Sequence, residues 1–117
     1  MAQTSVLVVD DSRMSRMMLT SIIKDLHPDW SVETAEDGKG ALALATTKAF
    51  DIFTIDFNMP GMNGLELAEQ LKLLFPNAKM ALLTANVQDT IKGKAEALGI
   101  QFIPKPITTD KISAYIG

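Results

Sequence analysis

Apolar positions along this chain alternate between short unbroken runs and longer stretches spaced by three and four residues. Val6, Leu7, Val8 and Val9 are consecutive, as in a strand buried on both faces of a parallel sheet. Met14, Met17, Met18, Ile22 and Leu26 then recur at helical steps, with Asp11 or Ser12 available as the cap and Pro28 closing the pattern. That spacing places Met14, Met17 and Met18, like Met80 later on, at core positions. Ser31 to Ala35 predicts a weaker strand, Gly40 to Ala49 a small-residue helix through Leu42, Ala45 and Ala49, and Asp51 to Phe57 a β-branched and aromatic strand. From Asn63 an amphipathic helix runs on Leu67, Leu71 and Leu74, with Ala68 and Phe75 alongside, until Pro76 stops it. Lys79 to Ala85 gives a fourth strand, Gln88 to Leu98 a helix on Ile91, Ala95 and Leu98 ended by Gly99, and Ile100 to Ile103 a fifth strand. Thr108 or Thr109 caps a last short helix with the apolar face Ile112, Tyr115 and Ile116.

Five strands alternating with five helices predict an α/β fold built on a parallel sheet with right-handed crossovers. Such sheets bind ligands outside the carboxyl ends of their strands, and here those ends carry polar groups. Asp10 and Asp11 end the first strand, Asp56 the third and Thr84 the fourth, while Lys105 follows the fifth. Composition narrows the rest. A chain of 117 residues predicts one domain over 1–117, and 47% apolar with 21% charged residues is ordinary for a globular protein. A net charge of -3 without a basic cluster argues against nucleic acid, and no apolar run approaches the roughly 20 residues of a membrane helix. The absence of cysteine removes thiol chemistry and disulfides and fits the cytoplasm.

Each strand-end residue has an ordinary structural explanation. Asp10 and Asp11 favour a helix N-terminus, Asp56 suits a turn, Lys105 a solvated surface, and Thr84 a hydroxyl bonded to its own backbone. Their assembly at one edge is what those explanations leave out. Carboxylates that converge repel one another unless a hard divalent cation such as Mg²⁺ takes their oxygens. A cation, an ammonium and a hydroxyl around one aspartate neutralise and orient a phosphoryl group, with Asp56 as the nucleophile.

Four segments in order, VLVVDDS, DIFTIDFNMPGMNG, ALLTA and FIPKP, make the chain resemble a response-regulator receiver domain of the CheY-like type over essentially its whole length. The resemblance implies a flavodoxin-like doubly wound sheet in the order 2-1-3-4-5. It implies that Asp11 and Asp56 bind Mg²⁺ directly, Asp10 through water, and Asn58 through its backbone carbonyl. Thr84 and Lys105 would contact the phosphoryl group, Phe102 would be the aromatic switch, and the Lys105–Pro106 peptide would be cis. Phe102 lacks the hydroxyl of a tyrosine there. Function follows as an expectation: Mg-dependent transfer from a histidine kinase or histidine phosphotransfer protein to Asp56 changes a surface formed by the fourth helix, fifth strand and last helix. Such a protein catalyses only its own phosphorylation and dephosphorylation.

His27, at the far end of the first helix, reads as a surface loop residue, so the phosphodonor is another molecule. Trp30 reads as a loop residue covering the core, and Met59 and Met62 as partly exposed residues beside the active loop. Two rival functions differ in class. A flavin or nucleotide module needs a glycine-bearing phosphate loop after the first strand, where DDSRMSRM offers two carboxylates. A phosphatase of haloacid dehalogenase type resembles DxD, whereas the position two after Asp56 is Asn58 and no length remains for a cap domain. The MAQTS start reads as an initiator region. A stand-alone regulator, a phosphorelay intermediate and part of a larger protein share these site residues.

Overall fold

A computed structural model describes residues 3–86 and 88–117; Met1 and Ala2, where MAQTS begins, lie outside them. The elements run β1 (Ser5–Val9), α1 (Arg13–Leu26), β2 (Ser31–Ala35), α2 (Gly38–Ala45), β3 (Ile52–Asp56), α3 (Gly64–Leu74), β4 (Lys79–Thr84), α4 (Asp89–Ala97), β5 (Gln101–Pro104) and α5 (Thr109–Ile116). All strand pairs are parallel and the order is β2-β1-β3-β4-β5, the doubly wound order expected. The order reverses between β1 and β3, which opens a crevice at their carboxyl ends.

Alternation along the strands divides the core into two layers. Leu7, Val9, Phe53, Ile55, Met80 and Leu82 face α2, α3 and α4, whereas Val6, Val8, Ala81 and Leu83 face α1 and α5. Both layers are built from buried apolar side chains, which accounts for the uninterrupted apolar strands. Burial of each Val, Leu, Ile, Phe or Met side chain among them contributes about 1.5–3 kcal/mol. Tyr115 of α5 is also fully buried, and its hydroxyl donates to the Phe53 carbonyl of β3 at 2.7 Å. Burial pushes that hydroxyl's pKa up.

Helix ends follow the sequence chemistry. Ser12 caps α1, Asp37 caps α2, Asn63 and Glu66 form a reciprocal capping box on α3, and Thr108 caps α5. Gly99, at φ 73°, takes the left-handed position after α4.

The faces of two helices differ from the sequence expectation. Met14, Met17 and Met18 are 75%, 62% and 45% exposed, and α1 buries Leu19 and Ile23 instead, with Ile22 and Leu26 partly covered. The spacing of three and four is satisfied by both stripes, and only the second meets the sheet. Met80 is buried as expected. In α3, Leu74 is exposed while Leu65, Leu67, Ala68 and Leu71 are buried. Ala49 lies beyond α2, which starts two residues before its expected beginning. Met59 is buried rather than partly exposed, and Met62 is half-buried, its sulfur accepting from Gln70 Nε2 at 3.6 Å. Trp30 covers the α1/α5 layer as expected. His27 lies just beyond α1 as its C-cap, outside regular structure as expected; its ring stacks on Trp30 with centroids 3.7 Å apart, and its Nε2 lies 2.6 Å from the Gly117 carbonyl.

Candidate functional site

The carboxyl edge of the sheet brings together the residues that the sequence placed at strand ends. Asp56 closes β3 and is 4% exposed, Asp10 follows β1 at 1%, and Thr84 closes β4 fully buried, while Asp11 is exposed. Carboxylate oxygens of Asp10, Asp11 and Asp56 lie within 4.8 Å of one another. Lys105 Nζ enters from the loop after β5, 3.1 Å from Asp56 Oδ1 and 3.6 Å from Asp10 Oδ2. The Lys105–Pro106 peptide is cis. Asn58 is exposed in the loop after Asp56.

Backbone contacts hold this arrangement. Asp10 Oδ1 accepts from the Ser12 amide at 2.9 Å, and Arg16 of α1 donates to the Asp10 carbonyl at 2.7 Å. The Phe57 amide extends the β3–β4 ladder by donating to Leu83 O at 3.0 Å. Gly64 then lets α3 start against the strand end. A Cβ there would collide with the Asp56 carbonyl oxygen and stand 2.8 Å from Phe57 Cα. The sequence presents Gly64 as a turn glycine; its requirement is this close approach. Thr84 Oγ1 accepts from the Asn86 amide at 3.0 Å, the ordinary strand-end bond, and keeps its own hydrogen for another acceptor.

Charge balance at the edge is uneven. Burial, then the neighbouring Asp10 charge, push the Asp56 carboxyl up to about 6, although the Lys105 hydrogen bond and charge pull it down. Burial opposes the Lys105 ammonium, but its hydrogen bond to Asp56 and the charges of Asp10 and Asp56 prevail and raise its pKa. Lys105 therefore stays cationic. Asp10 Oδ2 is buried with no hydrogen-bond partner, Lys105 being too distant. An orphaned carboxylate oxygen among three converging carboxylates is the donor set of a hard divalent cation, so these residues fit Mg²⁺.

Phe102 of β5 is half-buried against the layer shared with α3 and α4. Sequence reasoning missed Arg16, whose guanidinium donates to the Asp10 carbonyl, because nothing in residue spacing marks a side chain aimed at main chain.

A family model for the response regulator receiver domain matches residues 6–117. The chain belongs to that family. The receiver is similar to the chemotaxis protein CheY of Listeria monocytogenes, 35% identical over 107 residues that cover 91% of this chain and 89% of that protein. Among solved structures, the chemotaxis protein CheY4 of Vibrio cholerae matches with a TM-score of 0.87 at 31% identity, over 97% of this chain and 95% of that one. The response regulator TrrA of Thermotoga maritima, solved in complex with Mg²⁺–BeF, matches at 0.83 and 28% identity over 96% and 95%. Other curated relatives are longer, and the receiver spans 44% and 46% of two of them. The chain is thus a CheY-like receiver of two-component signalling. The phosphatase and the flavin or nucleotide readings find no support among these relatives. Among the described residues no helix is long and apolar enough to cross a membrane.

Proposed function

We propose that Asp56 accepts a phosphoryl group from the phosphohistidine of a histidine kinase or histidine phosphotransfer protein, with residues 1–117 acting as one receiver domain in the cytoplasm. The observation that carries this reading is the buried Asp56 carboxylate, 3.1 Å from the Lys105 ammonium and grouped with two further carboxylates at the sheet's switch point. In the transfer, an Asp56 carboxylate oxygen forms the new P–O bond as the donor's P–N bond breaks, and the electron pair leaves with the imidazole nitrogen. Lys105, held cationic, pairs with a phosphoryl oxygen, and the free Thr84 hydrogen is donated to another. Asp10, Asp11 and Asp56 with the Asn58 carbonyl would hold Mg²⁺, whose charge offsets that of the carboxylates and the phosphoryl oxygens. The Mg²⁺–BeF complex of the similar TrrA supports that assignment.

Thr84, drawn toward the phosphoryl group, gives up its bond from Asn86, and Phe102 repacks on β5. The surface of α4, β5 and α5 then changes, and with it affinity for a downstream protein. The protein acts only on itself: the group stays on Asp56 until water removes it. The donor seats on the exposed Met14, Met17 and Met18 face of α1, the first of these methionines lying two residues after the cap Ser12.

Acetyl phosphate with Mg²⁺ tests the site. Near-stoichiometric label is expected on the native protein, with loss on chelation and none on Asp56→Asn. Label that persists in Asp56→Asn, or that ignores Mg²⁺, contradicts the reading.

A further inference from the structure

Lys105 reaches the site from a segment with proline on both sides. Pro104 and Pro106 have no backbone N–H, so this segment's own donor is the Lys105 amide, which bonds the Thr84 carbonyl at 2.9 Å. The carbonyls on either side of Lys105 are held from α5. Lys111 Nζ donates to Pro104 O at 2.8 Å and to Pro106 O at 3.0 Å. Among the described residues no carboxylate lies within ion-pairing distance of Lys111. Its ammonium is therefore devoted to those two carbonyls.

We propose that Lys111 is a positioning residue for Lys105. By bridging the carbonyls before and after it, Lys111 fixes the backbone from which the Lys105 side chain extends to Asp56 and Asp10. Pro104 acquires a purpose in this arrangement, since its carbonyl is one of the two anchors. Two charge-assisted bonds, one to the Pro104–Lys105 peptide and one to the Pro106–Ile107 peptide, tie down the chain on both sides of the Lys105–Pro106 peptide. The clamp also links the first turn of α5, part of the proposed output surface, to the cation beside the acceptor. Its effect on phosphorylation rests on the function proposed above; its effect on Lys105 does not.

Lys111→Met keeps the aliphatic stem and removes the donors, and Lys111→Arg returns a cation with two forks. The first readout is acylation of Lys105 by an N-hydroxysuccinimide ester, followed by peptide mass. Lys105 is expected to react roughly fivefold faster in Lys111→Met and close to the native rate in Lys111→Arg. The second readout is labelling of Asp56 by acetyl phosphate with Mg²⁺, expected to slow roughly tenfold in Lys111→Met. In a Lys105→Ala background, Lys111→Met is expected to add no further slowing, because the two act as a unit. Unchanged acylation of Lys105 in a folded Lys111→Met protein, or equal slowing with and without Lys105, overturns the proposal. A native protein that takes no label sinks the function reading alone, while acylation still judges the clamp. Should Lys111→Met fail to fold by circular dichroism, Lys111→Gln replaces it, with an acceleration of Lys105 acylation again expected and its absence decisive against the clamp.

Discussion

Asp56 holds its charge against burial and against Asp10, and Lys105 offsets only part of that cost, which leaves the carboxyl at about 6 from an ordinary 3.8. The sign of the consequence follows from proton counting. Between those two values the folded state binds more protons than the unfolded chain, so stability falls as pH rises through the window, and the cost is fully present above it. In metal-free buffer Asp56→Asn is expected to gain about 3 kcal/mol in urea unfolding near neutral pH. That advantage should shrink toward about pH 4. An equal gain at both values would mean that titration of Asp56 is not the cause. Gly64 offers a second residue-scale test. Its Cβ would meet the Asp56 carbonyl, Phe57 Cα and the Leu82 side chain, two backbone groups and a core methyl with little room to yield. Gly64→Ala is expected to cost about 2 kcal/mol or more and to impair labelling, whereas Gly93→Ala, facing open space within α4, should be neutral or stabilising. The gathering of Asp10, Asp56, Thr84 and Lys105, the residues proposed to carry the chemistry, was legible in the sequence, because each sits at or just after the end of an apolar run. The contacts that aim them were not, since Arg16 and Lys111 bond backbone carbonyls brought near only by folding.

Helix α1 shows where periodicity stops being informative. Its sequence carries two apolar stripes, and by helical period Met14, Met17 and Met18 fall on the side opposite Leu19 and Ile23. Both stripes have helical spacing; which one faces the sheet depends on how the chain leaves β1. The result is an apolar helix face beside the site that the described residues leave exposed. If a protein donor seats there, Met14→Glu and Met17→Glu should slow transfer from a phosphorylated histidine protein by roughly tenfold, a cost typical of interface truncations. Labelling by acetyl phosphate should be unchanged, and stability should move by no more than about 0.5 kcal/mol. Equal slowing with both donors would place the defect in the site rather than in docking. Helix α3 repeats the lesson on a smaller scale: Leu74 keeps the spacing yet is exposed, because Phe75 ends the helix and packs inward in its place.

At the scale of the molecule, the strand count, the parallel sheet and the site's edge followed from apolar runs broken by helical stretches. The strand order did not; it came with the resemblance, because neither alternation nor capping says which strand pairs with which. That order is what makes a site of separate residues. With β1 beside β3 and β3 beside β4, the exits carrying Asp10, Asp56 and Thr84 become neighbours, and β5 delivers Lys105 from the side. The central claim is that this edge converts one of three converging carboxylates into a phosphoryl acceptor. Borohydride reduction of the labelled protein, which turns an aspartyl phosphate into homoserine, followed by peptide mass spectrometry, tests it most directly. Homoserine is predicted at position 56 alone, and only in samples that received both donor and Mg²⁺. Homoserine at position 10 or 11, or at 56 in chelator, would contradict the account.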